Sequence, residues 1–240
     1  VTSAKQNRTR WAVQVALIIG LALLFLAILL WGLQGVNLAR ADPGTLYAAG
    51  ASGQVITVCL GGGCDYSSVQ DAIDAANDGD VVKIAAGVYT DVHVRPREDV
   101  TTTGVVTQVA HISKTISVLG GYTVTNWSDP DREVNPTTLD ARGRGRVLYV
   151  AGDVSATIEG LRLTGGDATG LGGYLGSSGS DYDVGGGLYA FSATLLLNDN
   201  WVSGNEALFG GGLGLKGSEG LLSGNDIVSN TASGGGGLQL

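Results

Sequence analysis

The chain has 240 residues, 40 of them Gly against an average of about 7%, with only 4 Pro, 2 Cys, 3 Phe and no Met. No Gly-every-third period runs through it, which excludes collagen. Four of its 14 basic residues (Lys5, Arg8, Arg10, Arg40) precede Asp42 and none of its 22 acids does, leaving ten basic against 22 acidic residues, a net charge of −12. That balance argues against a nucleic-acid binder, whose affinity rests on neutralising phosphates. With 44% apolar residues the length suits one domain or two small ones.

The basic start is followed by VALIIGLALLFLAILLWGL, residues 15–33, nineteen residues without a polar side chain. At 1.5 Å per residue such a helix would be about 28 Å long, enough to cross a bilayer. Trp11 and Trp31 fall near its two edges, and Ala39-Arg40-Ala41 offers a small-x-small cleavage pattern. Residues 1–41 are therefore read as a cleaved signal peptide or a retained anchor, with a buried helix of the folded domain as the bland alternative. Either leading reading places the remainder outside the cytoplasm, after a linker over 42–54. Cys59 and Cys64, in CLGGGC, fit a small disulfide loop in an oxidising compartment, with two buried free thiols as the alternative. A zinc site would need four ligands, and no His stands near.

VITVCL (55–60) reads as a strand. SSVQDAIDAA (67–76) reads as a helix, with Ser67 as cap, Gln70 completing a capping box, and Val69, Ala72, Ile73 and Ala76 on one face. VVKIAAGVY follows as a strand with Val82, Ile84 and Ala86 facing one way, then VVTQVAHI (105–112) and TISVLGGY (115–122). No further helical periodicity occurs.

The last third repeats. Gly185-Gly186-Gly187-Leu188 recurs at Gly210 and at Gly235, 25 residues apart each time, and LLNDNWVSGNEA (196–207) matches LLSGNDIVSNTA (221–232) at the same spacing. Asn200 aligns with Asn225 and Asn205 with Asn230. A looser copy, IEGLRLTGGDA (158–168), aligns 39 residues away, the excess being a 14-residue insertion around 171–184. A GGG at this period rules out helical repeats, and the leucine-rich and nonapeptide calcium patterns are absent. What remains is an all-β solenoid, a parallel β-helix with coils of short strands, Gly at tight turns or close approaches, and Asn hydrogen-bonded along the stack. The 67–76 helix is expected to cap the first coil. The chain stops straight after GGGL, so further coils are expected beyond Leu240.

SSVQDAIDAANDGDVVKIAAGVYTD, with Gly79-Asp80, Val82, Ile84, Gly87 and Tyr89, resembles the opening of secreted bacterial right-handed parallel β-helix proteins of the pectin-lyase-like superfamily. TISVLGGYT, TTLDARGRGRVLYVAG and ATIEGLRLTGGDA follow in the same order, so the likeness spans about residues 55–240. It implies the fold; it does not select an activity, since such proteins include polysaccharide lyases, hydrolases and adhesins.

A lyase of this kind needs a base and commonly Ca²⁺ held by carboxylates, and a hydrolase needs paired carboxylates. The acids do not form a ladder: Asp167 and Glu206 align but the third copy has Thr231, Asp199 aligns with Gly224, and Asp226 with Trp201. Asp181 and Asp183, in the insertion with Tyr174 and Tyr182, are the strongest local candidates, with Arg162 facing outward beside them as a base or carboxylate clamp if a site exists here. The competing reading is a solvated loop and a solvated strand residue. Arg142, Arg144 and Arg146 form the only basic cluster after residue 41, fit for an anionic glycan or lipid headgroup, or for balancing nearby acids in a turn. His93 and His111 lack an acidic partner at motif spacing. Serine-hydrolase and phosphate-loop motifs are missing. No catalytic, cofactor-binding or metal-ligating residue is assigned.

The resulting expectation is an exported, cell-surface structural, adhesive or carbohydrate-binding β-helix without catalysis in this segment. The alternative is a secreted polysaccharide lyase or glycoside hydrolase, the one reading under which Ca²⁺ enters. The expected partner is a polysaccharide or cell-surface glycan and not nucleic acid. Membrane contact is confined to residues 11–33 if they stay uncleaved, and the oligomeric state is left open.

Overall fold

A computed structural model describes residues 53–98, 104–175 and 179–240. The apolar run at 15–33, the Ala39-Arg40-Ala41 pattern and most of the 42–54 linker lie outside the described residues. Among the described residues no helix is long and apolar enough to cross a membrane.

The described chain winds as a mostly parallel β-solenoid. β1 (Val55–Val58) leads through the Cys59–Cys64 disulfide loop into α1 (Val69–Ala75), the only helix among the described residues. The next coil holds β2 (Val81–Ala85), β3 (Gly87–Tyr89), β4 (His93–Pro96) and β5 (Val105–Ile112), where β4 folds back antiparallel on β5. It is followed by β6 (Ser117–Tyr122), β7 (Thr137–Asp140) and β8 (Arg146–Ala151). Then come β9 (Ser155–Glu159), β10 (Leu161–Thr164), the inserted hairpin β11 (Gly173–Leu175) and β12 (Asp181–Asp183), and β13 (Leu188–Phe191). Two further coils comprise β14 (Thr194–Asn198), β15 (Trp201–Ser203), β16 (Glu206–Phe209) and β17 (Leu213–Lys216), then β18 (Glu219–Ser223), β19 (Asp226–Val228), β20 (Thr231–Gly234) and β21 (Leu238–Gln239).

Three faces result. Sheet A runs β1-β2-β6-β9-β14-β18, sheet B β3-β7-β10-β15-β19, and sheet C β4-β5-β8-β13-β17-β21. The registers reproduce the sequence repeats: Leu197 pairs with Leu222 and with Ile158, and Leu188 with Leu213. The insertion at 171–184 leaves the stack as the antiparallel β11–β12 hairpin. One apolar row from each sheet fills the interior: Val82, Val118, Ile158 and Leu197 from A, Tyr89, Leu139, Leu163 and Val202 from B, and Ala110, Leu148, Leu188 and Leu213 from C. Each strand inside a sheet pairs with a neighbour on either side along the axis, so burying these rows leaves few of its backbone groups unpaired.

Two boundaries differ from the sequence reading. Ser68, not Ser67, caps α1, its hydroxyl accepting from Asp71 N at 3.3 Å. Gln70 consequently leaves the cap and turns inward, where its amide accepts from His111 N (2.7 Å) and donates to His111 O (3.1 Å), closing backbone groups of β5. Ala86 is exposed rather than facing inward with Val82 and Ile84, because the chain turns a corner between β2 and β3. At the other end of α1, Lys114 Nζ donates to Ile73 O (3.1 Å), Asp74 O (2.7 Å) and Ala76 O (2.5 Å), satisfying the carbonyls a helix end leaves open. The Gly79-Asp80 pair has a matching role. Asp80 accepts from Asn77 N and Gln54 N, both at 2.7 Å, and these bonds hold its carboxyl below the usual carboxylate range.

Corners are set by left-handed residues, followed by Asn in the last two coils. Gly160, Asp199 and Gly224 share one corner with φ of 69°, 51° and 64°, and Gly165, Gly204 and Ser229 the next, with 65°, 67° and 54°. Asn200, Asn205, Asn225 and Asn230 come directly after such residues. Asn200 Nδ2 donates to Asn225 Oδ1 (2.9 Å) and Asn205 Nδ2 to Asn230 Oδ1 (3.0 Å), so the stacked amides expected from the repeat are present.

Candidate functional site

The insertion hairpin lies over the outer face of sheet C, on a second and smaller apolar cluster of Val106, Tyr149, Ala151, Val184 and Tyr189. An aromatic ladder crosses that face in register: His111 stacks on Tyr149 (ring centroids 4.9 Å apart) and Tyr149 on Tyr189 (5.7 Å). The next rung is Gly214. A Cβ there would stand 2.3 Å from Val184 Cγ1, so the ladder ends in a glycine because the hairpin occupies that place.

Arg146 anchors the hairpin from below. It is fully buried, donates from Nε to Val184 O (2.9 Å) and from Nη2 to Gly172 O, and lies 4.9 Å over the Tyr189 ring. Tyr189 Oη donates to Gly173 O at 2.5 Å. The basic cluster therefore divides. Arg142 is exposed, with Nε 3.9 Å from Asp140 Oδ2, and Arg144 donates to Thr90 O and to Ala141 O, while Arg146 serves the interior of the site. A charged side chain enters a buried position only when local acceptors receive it, and the carbonyls of the hairpin backbone are those acceptors.

The two hairpin acids are already engaged. Asp183 accepts from Gly170 N (3.0 Å) and Gly172 N (2.7 Å). Asp181 accepts from Gly173 N (2.9 Å) and pairs with Arg97 Nη1 (2.5 Å). Burial alone would raise the Asp181 pKa, but Arg97 and the Gly173 N–H outweigh it and hold the carboxyl below its usual range. Arg162 is not beside them, which leaves its reading as an outward strand residue. It stands on sheet B between Thr138 and Trp201, with Nη2 3.9 Å from Glu133 Oε2. The inserted loop lies on a different face from β10, so spacing along the chain did not translate into proximity.

Beside the hairpin opens a pocket of about 330 Å³, bounded by Tyr174, Val184, Phe209, Lys216 and Gln239. Tyr174 keeps 49% of its surface exposed and stacks on Tyr182 at 6.3 Å, and Tyr182 meets the Phe209 ring edge-on at 5.7 Å. Lys216 Nζ stands 5.5 Å from the Tyr174 centroid and 5.8 Å from that of Phe191, a cation held between two rings. Lys216 and Phe209 escaped the sequence reading. The available signal was the 25-residue register, which sets Lys216 beside Phe191 on the face the insertion covers. The pocket lining supplies an aromatic face, an ammonium and an amide, and no Asp or Glu side chain. Among the described residues no group of three or more His, Cys, Asp or Glu is placed to hold a metal ion.

At the far end of the ladder His111 Nε2 is 3.4 Å from Glu98 Oε1, a partner that motif spacing did not reveal. Burial pushes the Glu98 carboxyl up and the His111 imidazole down to about 4 from 6.5, Arg95 adding to the latter and Asp74 opposing it. Between pH 6.5 and about 4 the unfolded chain therefore holds more protons at His111 than the folded one, and this residue's contribution to stability falls as pH drops through that window, while the raised Glu98 carboxyl acts in the opposite sense. After allowance for the water at the ring's open side, the expected loss at pH 4 is about 2 kcal/mol. His111→Phe keeps a ring on Tyr149, so comparing urea midpoints at pH 7 and pH 4 should show that this part of the acid sensitivity has gone. An unchanged pH dependence in the variant would refute the assignment.

No protein-family model, curated protein or solved structure matches the chain. Fold and site define a parallel β-solenoid with a lateral aromatic–lysine pocket beside an inserted hairpin.

Proposed function

We propose that the chain is an exported, cell-surface β-helix of the right-handed, pectin-lyase-like kind, and that it binds carbohydrate at the hairpin pocket without catalysing its cleavage. The carrying observation is the composition of that pocket. The half-open ring of Tyr174 offers a stacking surface for a sugar, and Lys216 and Gln239 offer donors to its hydroxyl or carboxyl oxygens. Asp181 and Asp183, the acids a hydrolase would use, are committed to Arg97 and to backbone amides. Export is supported by the basic, apolar and small-x-small order of residues 1–41 and by the Cys59–Cys64 disulfide. A capping role for α1 is supported by Val69, Ala72 and Ile73, which join the interior cluster beside Ile56, Val58 and Val82.

The test presents the full chain to a panel of acidic and neutral oligosaccharides and follows both binding and product formation. Tyr174→Ala is expected to weaken binding about tenfold, the loss of one stacking contact of about 1.4 kcal/mol, with far-ultraviolet circular dichroism unchanged. Release of unsaturated ends or of new reducing ends would overturn the reading in favour of a lyase or a hydrolase. Binding indifferent to Tyr174 would remove the pocket from it.

A further inference from the structure

The outer face of sheet B carries a second set of groups that neither the fold nor the hairpin pocket uses. Residues pointing away from the interior row there form a line across the coils: Thr138, Arg162, Trp201 and Asp226 are direct register partners on β7, β10, β15 and β19. Trp201 keeps 40% of its surface exposed, and its Nε1 donates to Ser203 Oγ at 2.9 Å, which fixes the ring along its own strand. The loop between β6 and β7 reaches over the same face. Arg132 donates to Asp199 O (2.7 Å) and lies 3.5 Å from Asp226 and 3.4 Å from Glu133, and Glu133 lies 3.9 Å from Arg162.

This arrangement is poorly explained by stability. Partly exposed ion pairs contribute little after side-chain ordering is counted, and an indole facing water contributes less than a buried one. Nor does the repeat impose it, since the same position is Arg in one coil, Trp in the next and Asp in the one after. What the groups share is geometry: one fixed aromatic plane, with two guanidinium groups and two carboxylates around it.

We propose that this face is a binding surface for an extended neutral polysaccharide lying along the solenoid axis, with one pyranose ring on Trp201. The coils repeat at about 4.8 Å, close to the rise of one pyranose unit in an extended chain, so successive sugars meet successive strands. Carboxylate and guanidinium groups each engage pairs of vicinal hydroxyls by hydrogen bonds. An anionic chain is disfavoured because Arg132 and Arg162 face Glu133, Asp226, Asp140 on β7 and the exposed Asp129 and Asp131 of the same loop, an excess of carboxylates. The surface is distinct from the pocket over sheet C.

The test is affinity electrophoresis of the full chain in gels holding mixed-linkage β-glucan or galactomannan, with polygalacturonate and heparin as anionic comparators. At least one neutral polymer is expected to retard the chain, and its affinity should change less than about twofold between 0.01 and 1 M salt, across which the screening length contracts from about 30 to 3 Å. Trp201→Ala should lose at least about tenfold in affinity, equivalent to 1.4 kcal/mol, and Trp201→Phe should recover part of it, while Val94→Ser, exposed on β4, should match the parent. Retardation by the anionic polymers alone, by no polymer, or equally in parent and Trp201→Ala would overturn the proposal. A soluble protein that competes for Trp201 while no polymer binds would replace the polysaccharide with a protein partner and overturn it too.

Discussion

Gly186→Ala is expected to destabilise the chain by about 3 kcal/mol, whereas Gly143→Ala, the same change in chemistry, is expected to cost about 1 kcal/mol. The mechanisms differ. Gly143 has a φ of 69° and nothing within 4 Å of an added Cβ, so its penalty is only that of placing a side chain in the left-handed region. A Cβ on Gly186 would stand 2.2 Å from Glu206 O and 2.8 Å from the carbonyl carbon and amide nitrogen of the same residue. Those are backbone atoms of the next coil and cannot rotate aside. The coils must part, which strains Val147 N→Gly186 O (3.0 Å), Gly187 N→Gly211 O (3.1 Å) and Glu206 N→Gly166 O (2.7 Å) together. Gly211 faces Thr231 O at 2.2 Å in the same way, so the effect should recur there. Urea denaturation of parent and variants measures both losses, and equal midpoints for Gly143→Ala and Gly186→Ala would contradict the close-approach account.

The same geometry explains why each repeat carries three glycines rather than one. Gly185 and Gly210 occupy left-handed corners (φ 68° and 56°), Gly186 and Gly211 pass under a carbonyl of the neighbouring coil, and Gly187 and Gly212 pass under the matching glycine one coil on, at 2.5 and 2.6 Å from a built Cβ. Both requirements are visible in a sequence because each returns every 25 residues. The interior rows were legible for the same reason: a stack constrains every coil at the same positions, so Ile158, Leu197 and Leu222 reveal their register by recurring.

The site was less legible because it lies where the repeat is interrupted. Arg146 stood in a cluster of alternating Arg and Gly that suggested a solvated turn, yet it is buried because hairpin carbonyls 26 and 38 residues ahead receive it. Lys216 was overlooked because its partners, Tyr174 and Phe191, come from an insertion and from the previous coil. The grouping of Arg162 with Asp181 and Asp183 failed because the face of a loop depends on which corner it leaves from, and composition does not record corners. Ser68 displaced Ser67 as the cap by one position, freeing Gln70 to close the backbone of β5, a contact between residues 41 apart that no local pattern announces.

Asn205→Leu is expected to cost about 3 kcal/mol, and Asn230→Leu about 1 kcal/mol. Asn205 is buried, and every polar atom of its amide is used: Oδ1 accepts from Gly166 N (2.8 Å), and Nδ2 donates to Leu163 O (3.0 Å), to Asn230 Oδ1 (3.0 Å) and to Ser203 O (3.2 Å). Leucine matches the shape and removes all four bonds, stranding the Gly166 N–H and the Leu163 carbonyl where water does not reach. Asn230 sits one coil further on and is half-buried; its Oδ1 accepts from Asn205 N (3.1 Å) and Nδ2 (3.0 Å) and its Nδ2 donates to Val202 O (2.9 Å), but on this more open coil water can take over part of that bonding, and Asn205 Nδ2 keeps Leu163 O and Ser203 O. The contrast separates hydrogen-bond loss from mere change of volume, because the substitution is identical in both places. Hydrogen exchange offers the sharpest reading: protection of the Gly166 amide should fall about a hundredfold in Asn205→Leu and remain near parental in Asn230→Leu. Similar protection in both variants would mean that the stacked amides merely fill the corners, and that the stability of this solenoid resides in its apolar rows and glycine contacts.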